Sequence, residues 1–365
     1  MKTTGMKRNK ILLSVLLCIV LLLTAVTSYC VSAQRFGDTD GDGSVTAADA
    51  RYVLRTAVGL EFPADRSVLD VDGDAEITAY DARLVLRYSV GLDRTFPVER
   101  TSEEEPITAN PDAECAVLYD ADSDRILFRK NSTKLMAPAS LVKLPTAVTA
   151  LKNCPEEQVF QVGDEIDLIG YNSSVCYLQK GWSASLKTLI TGMLSSSGND
   201  AAYCIAVNVA RRIYPGISDQ AAVQRFVEMM NQTAAQLGMR SSRLLNPDGY
   251  DADGQYTTAE DLLMLAKAAL GFPTIRKICG KYRIEAYFAD GKGVTWYNTN
   301  RMLNPNDEFY HPEVTGMKTG STSAAGNCII VSFDHAGKEM IAVILGAPSD
   351  EARYEAAEAL MAALQ

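Results

Sequence analysis

Residues 136–151 read MAPASLVKLPTAVTAL, and the fold of the larger part of the chain turns on them. Pro138 sets the entry, and the apolar spacing after it predicts a helix with Ser140 at its start. Lys143, three residues on, falls on the same helical face as Ser140. A serine hydroxyl is a weak nucleophile until a base takes its proton. A lysine that is desolvated, or placed beside another cation, has the lowered pKa this needs. Ser-x-x-Lys alone recurs by chance in many helices, so the pair needs support from elsewhere.

Upstream, ECAVLYDADSDRILFRKNSTKL (114–135) alternates as two strands of a hairpin would. Downstream, LSSSGNDAAYCIA (194–206) carries Ser197-Gly198-Asn199 ahead of a helical apolar pattern. TGMKTGSTSAAGNCIIVSF (315–333) then places Lys318-Thr319-Gly320 at the end of a short segment, before an apolar β-rich run. Taken singly, Ser197 reads as a helix N-cap and Lys318 as a surface lysine. Other chemistries are poorly served. The chain has only two histidines, His311 and His335, and neither lies near a Gly-x-Ser-x-Gly elbow. His-Glu-x-x-His and a glycine-rich phosphate loop are both missing.

Ser-x-x-Lys, Ser-x-Asn and Lys-Thr-Gly, in this order and 57 and 121 residues apart, resemble the signature of the serine penicillin-recognising enzymes. With LLNPDGYDADGQYTTAEDLLMLA (244–266) and IIVSFDHAGKEMIAVILGA (329–347), residues 107–365 look like a low-molecular-mass D-alanyl-D-alanine carboxypeptidase. The resemblance implies the serine β-lactamase/DD-peptidase α/β (α+β) fold, an antiparallel sheet flanked by helices with an all-helical subdomain. It implies Ser140 as the acyl-forming nucleophile, Lys143 as its base and Ser197 as proton relay. Asn199 would orient the substrate amide and Lys143. Lys318 and Thr319, with Gly320, would hold the substrate's terminal carboxylate, and the N–H groups of Ser140 and Ser321 would form an oxyanion hole. Peptidoglycan stem peptides and β-lactams are the implied ligands, and catalysis needs no cofactor.

Two departures stand out. Gln255-Tyr256 occupies a place where relatives often carry histidine, and the chain ends at Gln365 where many continue into a β-rich domain and a membrane anchor. The second suggests that attachment is delegated to the N-terminal part. A class A β-lactamase would need Asp where Gly198 stands and a deacylating glutamate, for which no convincing candidate exists. A non-catalytic wall-binding protein of the same fold is the rival from another class.

Ahead of the catalytic part, DTDGDGSVTAADARYVLRTAVGLE (38–61) and DVDGDAEITAYDARLVLRYSVGLD (70–93) repeat at a period of 32 residues. Carboxylates fall at loop positions 1, 3, 5 and 12: Asp38, Asp40, Asp42 and Asp49, then Asp70, Asp72, Asp74 and Asp81. A hard cation takes six to eight oxygens, and alternate side chains turned inward supply them. Ser44 and Glu76 would add backbone carbonyls, while Val45 and Ile77 would pack the loops together. Each loop runs into a predicted helix that Gly59 or Gly91 ends. The duplication resembles a dockerin, a small all-α, EF-hand-like module that docks into a cohesin on a scaffold protein. It implies about two Ca2+ ions and a cohesin-bearing partner. Ala75 stands where the first loop has Gly43, and Ala47-Ala48 against Ala79-Tyr80 makes the two faces unlike.

The remaining sequence sets the surroundings. Lys2, Lys7, Arg8 and Lys10 precede an apolar run over 11–26 and Val31-Ser32-Ala33, the pattern of a signal peptide cleaved after Ala33. An uncleaved anchor is the alternative, and the run is short for a spanning helix. The domain order expected is signal peptide 1–33, dockerin-like module 34–95, linker 96–106 and catalytic domain 107–365, in a secreted, wall-associated protein. A net charge of −10 argues against nucleic-acid binding. Cys115, Cys154, Cys176, Cys204, Cys279 and Cys328 are scattered in apolar runs and read as buried thiols.

Overall fold

The structure is a computed structural model that describes residues 35–63, 66–73, 76–92, 95–96 and 107–364. The expected signal peptide, most of the expected linker, Asp74 and Ala75 lie outside the described residues. The chain divides into two compact units, Met1–Glu104 and Glu105–Gln365.

The first unit is built on α1 (Ala47–Ala57) and α2 (Ala79–Ser89). Each begins with a capping box in which a threonine, Thr46 or Thr78, exchanges hydrogen bonds with the aspartate three residues on. Gly59 and Gly91, at φ +74° and +75°, follow the helix ends as the sequence predicts. Val53, Leu69, Val71, Val85 and Phe96 form the core, with Val45 and Ile77 packed against it. Phe96 stacks on Tyr88 with ring centroids 4.6 Å apart. So few large apolar side chains make a core of little intrinsic stability.

The second unit centres on a five-stranded antiparallel sheet in the order β2-β1-β9-β8-β7. Its strands are β1 (Cys115–Asp120), β2 (Arg125–Lys130), β7 (Val314–Thr322), β8 (Gly326–His335) and β9 (Lys338–Ala347). Both faces are covered, which explains why β8 and β9 read as continuous apolar runs rather than alternating ones. Ala116, Leu118, Ile329, Val331 and Ile344 turn to the C-terminal helix α9 (Asp350–Ala362), against Tyr354, Ala357 and Leu360. Cys115, Val117, Ile330 and Val343 turn the other way, into a larger core. That core also holds α3 (Lys143–Asn153), α4 (Leu186–Ser195), α5 (Asn199–Ile213), α6 (Asp219–Gln236), α7 (Ala259–Leu270) and α8 (Pro273–Cys279). Two small sheets, β3 (Val159–Gln161) with β4 (Ser183–Ser185) and β5 (Arg283–Tyr287) with β6 (Gly293–Tyr297), complete the unit. All six cysteines of this unit are free and buried. Among the described residues, no helix is long and apolar enough to cross a membrane.

One local expectation needs correction. Ser140 lies in a 3₁₀ turn, Ala139–Val142, and the α-helix starts only at Lys143. A 3₁₀ turn has three residues per turn, so side chains at i and i+3 eclipse, which brings Ser140 and Lys143 together more directly than an α-helix would. Lys318-Thr319-Gly320 lies within the short strand β7, and the apolar β run that follows it is β8, as the sequence predicts. The N-cap place of the helix Asn199–Ile213 belongs to Gly198, so the bland alternative for Ser197 does not hold; Ser197 itself is at φ +60°.

Candidate functional site

The Ser140 turn is wedged between two segments. On one side is β7, the last strand of the sheet order: a Cβ on Gly320 would stand 3.0 Å from the backbone nitrogen of Ser140 and 3.0 Å from Ala139 Cβ. On the other is the loop Asn246-Pro247-Asp248-Gly249-Tyr250. Its Gly249 packs on the Ala139 carbonyl, and its Pro247 carbonyl accepts from Thr146 Oγ1 at 2.6 Å. Ala139 pays for this geometry with φ at +48°, unusual for a residue with a Cβ.

Lys143 is fully buried. Its Nζ donates to Ser140 Oγ at 2.8 Å and to the Asp248 carbonyl at 2.6 Å. Burial pushes the ammonium down to about 8, against the opposing pull of Asp248, Asp200 and the Cys176 thiol. A lysine so placed carries a useful neutral fraction near physiological pH, as a general base must.

The Ser197-Gly198-Asn199 segment opens α5, and a neighbouring irregular stretch is tied to it. Asn199 donates from its backbone to the Ser174 carbonyl at 2.8 Å and from Nδ2 to Ser173 Oγ at 2.9 Å. Asn199 Oδ1 is buried without a partner. Asp200 secures the same stretch by accepting from the N–H groups of Cys176 and Leu178, both at 2.9 Å. Gly198 has no room for a side chain, since a Cβ there would lie 2.7 Å from Asp200 Oδ1. Ser197 is buried, but it is not among the hydrogen-bond partners of Lys143.

Lys318 is as buried as Lys143, and its Nζ donates to the Thr319 carbonyl at 2.9 Å. Burial first, then the charge of Lys143, hold it well below the usual lysine range. Thr319 Oγ1 shares a 2.6 Å hydrogen bond with Thr299 Oγ1. Ser321 Oγ accepts from Arg353 Nη1 at 2.9 Å, and the same nitrogen reaches the Gly320 carbonyl at 3.4 Å. Arg353, from α9, is buried with its Nε unpartnered, while Nη2 meets Asp350 and the guanidinium lies over the Tyr354 ring. Arg353 thus reaches the Gly320 and Ser321 end of the strand that carries Lys318, which sets a guanidinium suited to an anion against β7.

Sequence reasoning missed Asp248, Gly249, Thr299 and Arg353. Gly249 was within reach, because a glycine between Asp and Tyr in a polar stretch signals a left-handed turn. Nothing local in SDEARYEA marks Arg353; only the packing of α9 brings it to β7.

In the first unit, the carboxylate oxygens of Asp38, Asp40 and Asp42 lie within 4.8 Å of one another, as do those of Asp70, Asp72 and Asp81. Asp38 also accepts from the N–H groups of Gly41 at 2.8 Å and Gly43 at 2.9 Å, which folds the loop around it. Asp49 is not in the first cluster: its oxygens accept from Thr39 and Thr46, backbone and hydroxyl alike. Burial acts to raise its pKa, and those four hydrogen bonds outweigh it and hold the carboxyl below the usual range. Close carboxylates with no basic side chain among them form a hard-oxygen donor set that fits Ca2+.

A Ser–Lys pair against the edge strand of a helix-flanked antiparallel sheet defines the serine penicillin-recognising class. Residues 99–349 match the D-alanyl-D-alanine carboxypeptidase family, and residues 36–88 match the dockerin type I domain. The chain therefore belongs to the D-alanyl-D-alanine carboxypeptidase family and carries a dockerin type I domain. It is 28% identical over 248 residues to the D-alanyl-D-alanine carboxypeptidase DacF of Bacillus subtilis, covering 66% of this chain and 59% of the relative. It is 30% identical over 277 residues to DacC of Escherichia coli, covering 73% and 63%. The chain thus spans about three fifths of the length of these curated relatives. The crystal structure of the Streptomyces K15 DD-transpeptidase superposes with a TM-score of 0.64 at 25% identity, covering 70% of this chain and 97% of that one. Penicillin-binding protein D2 of Listeria monocytogenes, in its ampicillin-bound form, gives 0.58 at 25% identity, covering 70% and 98%.

Proposed function

We propose that this protein is a serine-type D-Ala-D-Ala carboxypeptidase that trims peptidoglycan stem peptides while held to a scaffold through its dockerin module. The observation that carries the reading is the 2.8 Å hydrogen bond from buried Lys143 to Ser140 Oγ. In the reaction, Lys143 Nζ takes the proton of Ser140 as Oγ bonds to the carbonyl carbon of the penultimate D-alanine. The N–H groups of Ser140 and Ser321 hold the oxyanion. As the peptide bond breaks, Ser197 gives its hydroxyl proton to the departing amine of the terminal D-alanine and takes in its place the proton held by Lys143, which leaves the lysine neutral again. Water, activated by Lys143, then releases the acyl group. Asn199 positions the substrate amide, and Lys318 and Thr319 grip the terminal carboxylate beside Gly320. A β-lactam would acylate Ser140 by the same route.

For the first unit, Asp38, Asp40 and Asp42 with the carbonyl of Ser44, and Asp70, Asp72, Asp74 and Asp81 with that of Glu76, would hold about two Ca2+ ions, and Asp49 would join the first set by turning an oxygen from its hydrogen bonds to Thr39 and Thr46 toward the ion. Bound calcium would fix the loops that present α1 and α2 to a cohesin. The amino-terminal segment is read as an export signal, and the domain order as signal peptide, dockerin, linker and peptidase.

The test is release of D-alanine from diacetyl-Lys-D-Ala-D-Ala, with mass spectrometry after labelling by a fluorescent penicillin. Label on Ser140 and loss of release in Ser140→Ala are expected. An unlabelled serine, with equal release from the variant, would overturn the reading. Persistence of the penicillin adduct separates a carboxypeptidase from a β-lactamase, which would clear it within seconds.

A further inference from the structure

We propose that Thr299 is a positioning residue that works through Thr319: its hydroxyl fixes the Thr319 hydroxyl as a hydrogen-bond donor to the terminal carboxylate of the substrate. The inference rests on the serine–lysine reading above and deepens it by naming what prepares the carboxylate grip.

Thr299 Oγ1 and Thr319 Oγ1 lie 2.6 Å apart, and either oxygen can be the donor. Each hydroxyl has a single proton, so two arrangements compete. If Thr319 donates to Thr299, its proton is spent, and the lone pairs that remain are of no use to an anion. If Thr299 donates to Thr319, the Thr319 proton stays available, and a hydroxyl that already accepts is a stronger donor. An arriving carboxylate selects the second arrangement. Among the described residues, Thr319 Oγ1 is the one hydrogen-bond partner of the Thr299 hydroxyl.

The backbone around Thr299 is locked on every side. It is the middle residue of Asn298-Thr299-Asn300, and both asparagines are buried. Asn298 Nδ2 donates to the carbonyls of Cys279 at 3.2 Å and Lys281 at 3.3 Å, while its Oδ1 accepts from Asn300 N at 3.0 Å. Asn300 Nδ2 reaches the Gly316 carbonyl in β7 at 3.4 Å, and its Oδ1 accepts from Met302 N at 3.1 Å. Thr299 N donates to the Ser195 carbonyl at 3.0 Å, at the end of α4 and just ahead of Ser197. Its carbonyl accepts from Tyr354 Oη at 3.2 Å, and Arg353 Nη2 donates to that same Tyr354 oxygen at 3.3 Å. Thr299 thus joins the Ser197 segment, β7 and α9 at one point. A side chain on so fixed a backbone can hold its neighbour in a single orientation, which is what a binding hydroxyl needs from its support.

The experiment uses the full chain and pairs each charged ligand with a neutral control. Release of D-alanine from diacetyl-Lys-D-Ala-D-Ala gives kcat and KM, and mass spectrometry gives the acylation rates of benzylpenicillin and its methyl ester. In Thr299→Ala, kcat/KM should fall about three- to tenfold, mainly through KM, and benzylpenicillin acylation should fall alike. The methyl ester, which lacks the carboxylate, should stay within about twofold of wild type. Thr299→Ser should restore the charged ligands, and adding Thr299→Ala to Thr319→Ala should cost nothing further. Equal losses on penicillin and its ester would reduce Thr299 to a structural role. Additive losses in the double variant would mean that Thr299 touches the ligand itself. Either result overturns the proposal, as does an alanine variant that behaves like wild type. Should Thr299→Ala not fold, Thr299→Val carries the same comparison. Wild-type protein that neither releases D-alanine nor takes up penicillin would sink the functional reading and this inference with it; with an active wild type, the results above overturn the inference alone.

Discussion

A Cβ on Gly249 would stand 1.8 Å from the carbonyl oxygen of Ala139. Both residues sit at positive φ, +84° and +48°, so the loop that carries Asp248 and the turn that carries Ser140 are fitted to each other by backbone alone. Gly249→Ala meets both the strain of the left-handed region and a clash with rigid backbone. It should lower the unfolding free energy by about 3 kcal/mol or more. Penicillin acylation should drop at least tenfold, because Lys143 loses its register with Ser140. Urea unfolding and penicillin labelling check this, and a variant indistinguishable from wild type in both would refute the fit.

Acylation should depend on pH through Lys143. Its pKa is pushed down to about 8 by burial, and only the neutral amine takes a proton. Raising pH therefore increases the active fraction: below the midpoint the rate climbs about tenfold per unit, and it levels off above about pH 8. Second-order rate constants for penicillin between about pH 5.5 and 9.5 test this. A profile flat below pH 8, or one that falls as pH rises, would show that another group is the base.

How far the sequence alone reaches can be judged from these residues. The contact of Ser140 with Lys143 was legible because the two stand three residues apart at a helix start, and the paired acidic loops because the chain states them twice. The 3₁₀ character of the Ser140 turn was not, since the apolar pattern of LVKLPTAV suits either helix and only the contacts of Gly320 and Gly249 choose between them. Asp248 and Arg353 were invisible for a different reason. Their importance comes from burial beside groups 105 and 33 residues away, and no local pattern encodes that.

The buried base should also be costly to stability. Lys143 has a pKa below the 10.5 of a free lysine, so between about pH 8 and 10.5 the unfolded chain binds more protons than the folded one. By linkage, stability from this site rises with pH across that window, and the cost is fully present below it, at most about 3 kcal/mol. Lys143→Met removes the charge, keeps similar bulk, and forfeits the hydrogen bond to the Asp248 carbonyl. At pH 7 it should be inactive yet about 1–2 kcal/mol more stable. The gap should shrink by pH 10. Urea midpoints at the two pH values measure it, and a gap that grows with pH would contradict the assignment.

Calcium removal should act on one unit only. Asp38, Asp40 and Asp42 hold their oxygens within 4.8 Å of one another, a repulsion that a divalent cation would relieve, and the small core of Val53, Leu69, Val71, Val85 and Phe96 has little to spare. A ligand at about a hundred times its Kd stabilises the folded form by about 2.7 kcal/mol per site. Chelation should therefore lower the melting transition of the amino-terminal unit clearly. Penicillin acylation should continue, because Ser140, Lys143 and their neighbours draw on a separate core. Asp38→Ala combined with Asp70→Ala should abolish calcium uptake in titration calorimetry and make the melting insensitive to chelator. Calcium uptake that survives the double substitution would place the ions elsewhere; a fall in acylation on chelation would mean that the cation reaches the peptidase after all.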